Sequence, residues 1–435
     1  MSLGRSPEGP SVAPLRERGD DSRLLIVVAP AAAFLAFGVA ADPAREILPG
    51  LGGILFARDM LITDYVGVGG LGAAFVNAGL LTLAAAALYR LTRAKVDGAA
   101  IAALYLTLGF GLFGKNLLNV WPTVAGVYLY TLYKREPFAA HINTAFFGGA
   151  LAPVFSEILF SDLLPFRERL PLALATSLAI GFALVPVAAG LFKAHMGFSL
   201  YNLGFTAGVL GTLTVSLFIS YGFVPVPVFI WSTGNNLPLG CFLAAVLVSL
   251  VAAGLVVDRR ALSGLKRIVA LSGQSPTDFF AVVGTGATLV NMGLCGLLAT
   301  AYALMVGGDL NGPVIAGVFT IVGFAACGKH PRNVAPVIAG VFLGSLAKSW
   351  APADPANLLA ALFATSLAPI AGRFGLGWGV AAGFLHASAT RAVTPLHAGL
   401  NLYNNGFAAG VVAAALHPLI AAIMRRREDH PPETL

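Results

Sequence analysis

The sequence predicts an all-α polytopic membrane protein made of two inverted-topology repeats of about seven segments each. Three observations predict this fold class: a very apolar composition, a unit that occurs twice, and basic residues on alternate connecting loops. Of the 435 residues, 57% are hydrophobic and only 11% are charged, whereas soluble domains carry about 25% charged residues. Apolar runs long enough to cross a bilayer recur along almost the whole chain, and they lack the alternation of membrane β-strands.

The composition also divides the chain into five parts. Residues 1–23 are polar and arginine-rich and are expected to form a disordered cytoplasmic tail. No cleavage site follows the apolar run that starts at Leu24, so this run is interpreted as a membrane span and not as a signal peptide. The first membrane repeat is expected at 24–220, an uncharged extracytoplasmic loop at 221–238, the second repeat at 239–424, and a cytoplasmic tail at 425–435.

Three pairs of stretches show that one unit is written twice. TDYVGVGGLGAAFVNAGLL starts at Thr63 and TDFFAVVGTGATLVNMGLC at Thr277, an offset of 277 − 63 = 214. GKNLLNVWPTVAGV and GKHPRNVAPVIAGV, which start at Gly114 and Gly328, have the same offset. HMGFSLYNLGFTAG and HAGLNLYNNGFAAG follow in the same order. Three matches in one order indicate an internal duplication.

Each half contains seven apolar segments. The third and fourth are short, about 17 residues or roughly 26 Å as ideal helix, and a Gly-Lys turn joins them. They fit two short full spans or one re-entrant hairpin whose tip stops inside the membrane, and this choice concerns 96–133 and 311–348. The segments are 24–42, 65–89, 96–113, 117–133, 141–160, 170–192 and 199–220, then 239–257, 279–305, 311–327, 334–348, 357–372, 376–393 and 400–424.

Basic residues collect on every second loop, starting with the arginines before the first segment, which places both termini in the cytoplasm. Because seven is odd, the second copy enters the membrane from the opposite side. Inverted repeats are typical of secondary transporters, in which broken helices form a substrate site near the membrane midplane.

The repeated Gly-Lys turns are the first candidate substrate-binding site. A lysine and asparagines stand just before a short helix, whose N-terminus attracts anions. The alternative is a surface loop with a lysine that reaches the membrane interface. The residues concerned are Lys115, Asn116 and Asn119 in the first copy, and Lys329, Arg332 and Asn333 in the second.

Polar residues inside apolar segments form the second group of substrate-binding candidates. Asn77 and Asn291 lie near the middle of a span, where they act either as ligands or as bonds between helices. Tyr201-Asn202-x-Gly204 and Tyr403-Asn404-x-Gly406 indicate a helix interrupted near Asn202–Gly204 and Asn404–Gly406, whose free backbone groups bind a solute. Packing of helices through small residues is the alternative.

Three acidic residues are candidates for coupling transport to an ion. Asp64 and Asp278 each follow a threonine at the start of a segment, where an N-cap role is the alternative. Glu157 lies near the end of a span, either as a solvated interfacial acid or as a proton carrier.

The sequence contains no HExxH, GxSxG, Walker or paired-cysteine motif. We therefore expect no enzyme, no cofactor and no metal site, and the scattered cysteines predict no disulfide framework. The expected partners are the lipid bilayer and a small-molecule or ion substrate, not nucleic acid.

The stretches LxTDYxxxGGxGAAFVNAGLLTL, FGLFGKNLLNVWP and HMGFSLYNLGFTAG resemble a duplicated bacterial family of multi-pass membrane proteins that is catalogued as a domain of unknown function. The resemblance covers nearly the whole chain from Leu24. It implies a protein of the bacterial inner (cytoplasmic) membrane and supplies no substrate or catalytic residue.

The function predicted from these features is secondary transport of a small polar or anionic solute, coupled to protons, to sodium or to neither. Two alternatives remain open. One is a passive channel of the urea or ammonium type, and the other is a membrane-embedded enzyme or assembly factor.

Overall fold

The computed structural model describes residues 19–162 and 165–429. Residues 1–18 of the predicted tail lie outside the described residues, whereas 20–23, expected to be disordered, belong to the first helix. The helices of the first half are α1 (Asp20–Ala41), α2 (Ala44–Leu55), α3 (Tyr65–Leu91), α4 (Gly98–Phe110), α5 (Trp121–Lys134), α6 (Ile142–Gly148), α7 (Ala152–Phe160), α8 (Phe166–His195) and α9 (Asn202–Ser220).

The second half contains α10 (Asn236–Val257), α11 (Ala261–Ala270), α12 (Phe279–Val283), α13 (Thr285–Met305), α14 (Gly312–Phe324), α15 (Pro331–Leu346), α16 (Pro355–Ala364), α17 (Ala368–Phe374), α18 (Leu376–Val393) and α19 (Asn404–Asp429). The last helix therefore continues into the stretch that was expected to be a tail. Single 3-10 turns lie at Phe138–Ala140, Gly149–Leu151, Thr365–Leu367 and Thr394–His397.

The two halves repeat the same order of elements, which confirms the duplication. α3 bends at Gly70, and α12 and α13 are separated at Gly284, which is 284 − 70 = 214 positions later. Both glycines have a φ of 85°, a conformation that glycine adopts without steric cost. A 3-10 turn also interrupts the fifth segment of each half, between α6 and α7 and between α16 and α17.

Each half contains one short helix that was not predicted, α2 in the first half and α11 in the second. Both are amphipathic: Ile47 and Ile54 are buried in α2, and Ile268 is buried in α11 while Lys266 and Arg267 are exposed. The search for apolar runs of membrane-spanning length overlooked them because they are only 12 and 10 residues long.

Within the described ranges, nine helical stretches are long and apolar enough to cross a membrane, judged by length and composition. This is the helix set of an all-α polytopic membrane protein. The nine are Asp20–Ala41, Tyr65–Leu91, Ile142–Phe160, Phe166–His195, Asn202–Ser220, Asn236–Val257, Thr285–Met305, Pro355–Phe374 and Asn404–Met424.

The short helices α4 and α14 pack against each other in antiparallel orientation at the contact between the halves. A Cβ on Gly98, at the start of α4, would lie 2.6 Å from the carbonyl oxygen of Ala326, just past the end of α14. A Cβ on Gly109, near the end of α4, would lie 2.8 Å from the Cα of Ala316, near the start of α14. Missing side chains thus let the two backbones approach closely.

The linker between the halves, 221–235, is attached to the first half. Strand β1 (Ile62–Thr63) pairs in parallel with strand β2 (Phe229–Ile230), with Ile62 beside Phe229 and Thr63 beside Ile230. The linker therefore lies beside the start of α3.

Candidate functional site

Both Gly-Lys turns approach the chain just before α9 or α19. A Cβ on Gly114 would lie 2.3 Å from the side chain of Leu402, and a Cβ on Gly328 would lie 2.8 Å from that of Leu200. Gly114 also has a positive φ of 75°. Glycine is needed at these positions because a larger residue would push the turn away from the opposite half.

A buried asparagine from a neighbouring helix holds each turn. Asn77 of α3 donates to the carbonyl oxygens of Gly111 and of the turn lysine, at 2.7 and 3.0 Å. Asn291 of α13 donates to the carbonyl oxygens of Ala325 and of its own turn lysine, both at 2.8 Å. Among the two expectations for these asparagines, the geometry matches a bond between segments.

The second asparagine of each turn closes the turn on itself. The side-chain oxygen of Asn119 accepts from the N–H of Asn116 at 2.9 Å, and its amide donates to the carbonyl of the turn glycine at 3.0 Å. Asn333 makes the same two bonds, with the N–H of His330 and with its own turn glycine, both at 2.9 Å. These amides are therefore engaged inside the turns.

The two turn lysines are buried, with 1% of Lys115 and none of Lys329 exposed. Lys115 Nζ donates to the hydroxyl of Tyr403 at 2.6 Å and to a carbonyl of α6 at 3.3 Å. Lys329 Nζ donates to the hydroxyl of Tyr201 and, at 2.8 Å, to Thr365 Oγ1. Each lysine thus bonds a tyrosine of the opposite half.

The two tyrosines stand directly before the helices α9 and α19. Residues 196–201 are not helical, and α9 begins at Asn202. Tyr201 O accepts from the N–H groups of Gly204 and Phe205, so the Asn-x-Gly stretch forms the first turn of the helix. The expected break at Asn202–Gly204 is wrong in position, because the non-helical stretch precedes it.

The first turns of α9 and α19 touch. A Cβ on Gly204 would lie 2.9 Å from the Cα of Gly406. The asparagine that opens each helix bonds a histidine seven positions earlier, His195 with Asn202 at 3.0 Å and His397 with Asn404 at 2.9 Å. Two helix N-termini therefore meet at one point between the halves.

A cavity of about 430 Å³ lies at this point. Both halves line it with equivalent aromatic residues, and both tyrosines of the Lys–Tyr pairs belong to its wall. The polar part of the wall includes Asn202 and Asn405. The equivalent lining aromatic residues are Phe110 and Phe324, Phe147 and Phe363, and Tyr201 and Tyr403, and Phe192 lines the cavity as well.

Asp64 and Asp278 have the expected N-cap role and also join the halves. Each accepts from the N–H two residues later in its own half, at 3.1 and 3.0 Å. Asp64 also accepts from the N–H of Gly312, which begins α14, and Asp278 from the N–H of Gly98, which begins α4, at 3.2 and 3.3 Å. Each carboxylate thus fixes the start of the other half's short helix.

The two ends of this arrangement differ. Asp97 and Asp278 line the cavity, and burial, followed by the nearby Asp97 carboxylate, raises the pKa of Asp278. The equivalent residues at the other end, Asn311 and Asp64, are joined by the linker. Ser232 donates to Asp64 from its N–H at 3.0 Å and from its hydroxyl, and its carbonyl accepts from Asn311 at 3.0 Å.

Of the expected site residues, Tyr201, Asn202, Tyr403 and Asp278 line the cavity and the others do not. Glu157 and Arg332 also take no part in the turns or in the Lys–Tyr pairs. Glu157 is neither solvated nor unpaired: its side chain is fully buried and bonds Arg58 at 2.7 and 3.0 Å. Arg332 is exposed.

Asp59 is a buried acid that the sequence interpretation missed. It accepts hydrogen bonds from Tyr65 at 2.7 Å, Ser156 at 2.8 Å, Asn119 at 2.9 Å and Asn116 at 3.2 Å. Burial raises its pKa to about 7, and the hydrogen bonds oppose that shift. The first Gly-Lys turn is therefore anchored on a carboxylate.

The two copies differ at the position of Asp59, and this difference is the sequence feature that could have identified the buried acid. The position equivalent to Asp59 is 59 + 214 = 273, which is Gly273. The second turn instead donates to backbone: His330 bonds the carbonyl of Leu271, and Asn333 that of Ser272.

Among the residues that the structure describes, no group of three or more His, Cys, Asp or Glu side chains is placed to hold a metal ion.

The chain matches the family described as "Protein of unknown function (DUF1576)" in two regions, 44–220 and 257–422. These regions together span most of the chain and coincide with the two copies, so the chain belongs to this duplicated family. No curated protein and no solved structure shows significant similarity to it.

Proposed function

We propose that this member of the DUF1576 family is a secondary transporter that moves a small polar or anionic solute through the cavity between its halves. The observation that carries the proposal is the one-sided cavity. Asp97 and Asp278 line one end, whereas Ser232 joins their equivalents at the other end. A solute site that is open at one end and closed at the equivalent end is what alternating access requires.

An inverted-topology relation between the halves is part of this proposal. A two-fold axis in the membrane plane turns equivalent helices antiparallel, whereas an axis along the membrane normal keeps them parallel. The antiparallel contact of α4 with α14 supports the first relation, as does the meeting of α9 and α19 at their N-termini. Exchange of the conformations of the two halves would then move the opening to the other side.

We further propose that α4–α5 and α14–α15 are re-entrant hairpins. α4 and α14 have 13 residues each, roughly 20 Å of helix, which is shorter than the hydrocarbon core of about 30 Å. Their turns are bonded by asparagines from within the helices α3 and α13, and such non-helical backbone is tolerated in a membrane when it is enclosed by protein.

The orientation follows from the basic residues. Arg90, Arg93 and Lys95 immediately precede Asp97, and the positive-inside rule assigns this loop to the cytoplasm. The Asp97–Asp278 end of the cavity is then cytoplasmic and the linker 221–235 is extracytoplasmic. With α18 (18 residues) as a tenth span beside the nine stretches above, and with the two hairpins not crossing the membrane, both termini are cytoplasmic.

Thiol labelling tests the one-sided opening. Cys327 lines the cavity, and its equivalent is Phe113 (327 − 214 = 113). In protein with Cys241→Ala, an impermeant maleimide should label Cys327 from the cytoplasmic side. Phe113→Cys, made together with Cys327→Ala, should resist labelling from outside until Ser232→Ala loosens the linker. Equal labelling of both positions from both sides would indicate an open channel.

Counterflow in proteoliposomes tests transport itself. Vesicles loaded with an excess of an unlabelled solute should transiently accumulate the same labelled solute, screened over anions, amino acids and nucleobases. A channel would only equilibrate the label, and an enzyme or assembly factor would do neither.

A further inference from the structure

We infer that the solute is a small organic anion with an apolar body, and that the hydroxyls of Tyr201 and Tyr403 bind its anionic group. The inference specifies the substrate class of the proposed transporter and therefore rests on that function for its biological meaning. The binding site itself can be tested without transport.

The site contains two buried lysines without a carboxylate partner. Lys115 and Lys329 are buried, and in the described part of the chain their hydrogen-bond acceptors are hydroxyl and carbonyl oxygens, not carboxylates. A buried ammonium without a counter-ion is costly. An anion that enters the cavity supplies the missing negative charge.

The hydrogen bonds of the two lysines have a fixed direction once the lysines are charged. In the charged form, which a bound anion favours, each lysine only donates, so each tyrosine hydroxyl must accept from its lysine. The proton of that hydroxyl is then available to an acceptor in the cavity, and the neighbouring positive charge strengthens the bond. Tyr201 and Tyr403 both line the cavity, so the lysines act on the solute through the tyrosines.

The N-termini of α9 and α19 meet at the cavity. A helix N-terminus carries a partial positive charge, and the first turns of these two helices touch at Gly204 and Gly406, which also line the cavity. Their fields add to those of the lysines at one place, which favours a single negative group.

The remainder of the wall is mostly apolar. Asp97 and Asp278 lie at one end of it, and phenylalanines of both halves, including Phe110 and Phe324, surround the tyrosines. Such a surface favours an apolar body over a hydrated inorganic ion. The cavity has a volume of about 430 Å³, which lies within the range of pockets that bind small organic molecules. A carboxylate with an aromatic ring or a branched aliphatic chain fits these limits.

Calorimetric titration of the purified full-length protein in detergent tests this inference, with benzoate, benzamide, benzylammonium and chloride as probes. Benzoate should bind at least tenfold more tightly than the other three. Tyr201→Phe and Tyr403→Phe should each weaken benzoate binding by about 10- to 100-fold, as expected for loss of a charge-assisted bond. The matched control is Tyr105→Phe, whose hydroxyl bonds the carbonyl of Ile26 instead.

Lys115→Met separates a role in charge from a role in structure. It should weaken benzoate while leaving the weak binding of benzamide unchanged, whereas a structural defect would weaken both. If Tyr201→Phe does not fold, the double variant Lys329→Met/Tyr201→Phe removes both partners and leaves no unpaired group, and it should still fail to bind benzoate.

Several results would overturn the inference: benzamide or benzylammonium binding as tightly as benzoate, undiminished benzoate binding by the tyrosine variants, or no binding of any probe. Benzoate binding without counterflow would refute transport and retain the anion site. Counterflow of a cation or a neutral solute would do the reverse.

Discussion

Replacing the asparagines that hold the Gly-Lys turns should destabilise the protein and not act on the solute directly. Asn77→Leu removes two donors to turn carbonyls and one acceptor, because the side-chain oxygen of Asn77 also accepts from the N–H of Leu117 at 3.2 Å. Asn291→Leu removes two donors and, as an acceptor, only a weak contact from Cys295 Sγ at 4.0 Å. Both side chains are fully buried, so the groups left behind lose their partners.

The magnitude follows from the number of unpaired groups. Each unpaired buried polar group costs about 1–3 kcal/mol, which predicts about 2–6 kcal/mol for Asn291→Leu and more for Asn77→Leu. Bonds inside membrane proteins average about 0.6 kcal/mol, so we expect the lower half of this range. Asn77→Leu should destabilise the protein more than Asn291→Leu whichever energy per hydrogen bond applies.

Thermal unfolding in detergent measures this effect, with Thr82→Val as the matched control in the same helix. Thr82 is buried, and its hydroxyl bonds only the carbonyl four residues earlier in its own helix, so its loss should shift stability by less than about 1 kcal/mol. If Asn77→Leu unfolds like the wild-type protein but no longer binds the solute, the asparagine is a ligand and our interpretation fails.

Three further predictions concern single groups. Burial raises the pKa of Asp59 from 3.8 to about 7, so the folded protein holds the proton more tightly, and stability should fall as pH rises between these values and level off above. Asp59→Asn should flatten this dependence, and a wild-type melting temperature constant over this window would contradict the prediction. Gly204→Ala places a Cβ 2.9 Å from the Cα of Gly406 and should lower the free energy of unfolding by about 1–3 kcal/mol. Gly190→Ala is the control, because Gly190 has open space around it, and equal melting temperatures of the two variants would show that the contact of α9 and α19 is loose. Arg58→Met leaves Glu157 buried without its partner and should lower the free energy of unfolding by about 3 kcal/mol. Adding Glu157→Met should restore most of this stability, and a double variant as unstable as the single one would mean that the ion pair is not the cause.

The fold was largely predictable because its signals are local. Spans follow from apolar runs, and the duplication follows from direct comparison of the two copies. The helices α2 and α11 were not predicted because a short amphipathic helix has too few apolar residues to be recognised as a membrane-spanning run. The turn asparagines were identified as polar residues in an apolar environment, but the sequence gives no direction for a side chain, and theirs point to backbone.

The Lys–Tyr pairs were less predictable. Both members had been singled out by the sequence, but as two separate candidate sites. Lys115 and Tyr403 are 288 residues apart, and only the packing of one half against the other brings them together. Asp59 stands outside the repeated motifs and was found only through its bonds to the first turn.

The exchange of partners between the halves has a consequence for biosynthesis. Lys329 emerges from the ribosome after its partner Tyr201, but Lys115 must wait for Tyr403, 288 residues later. At about 5–20 residues per second this delay is roughly 15–60 s. During that time the first half sits in the translocation machinery or the bilayer with its buried lysine incompletely bonded. Tyr403, which directly precedes the last helix α19, supplies the missing partner when that helix docks. Chains that stop before α19 should therefore be removed by membrane proteases, although nearly every other span is already made.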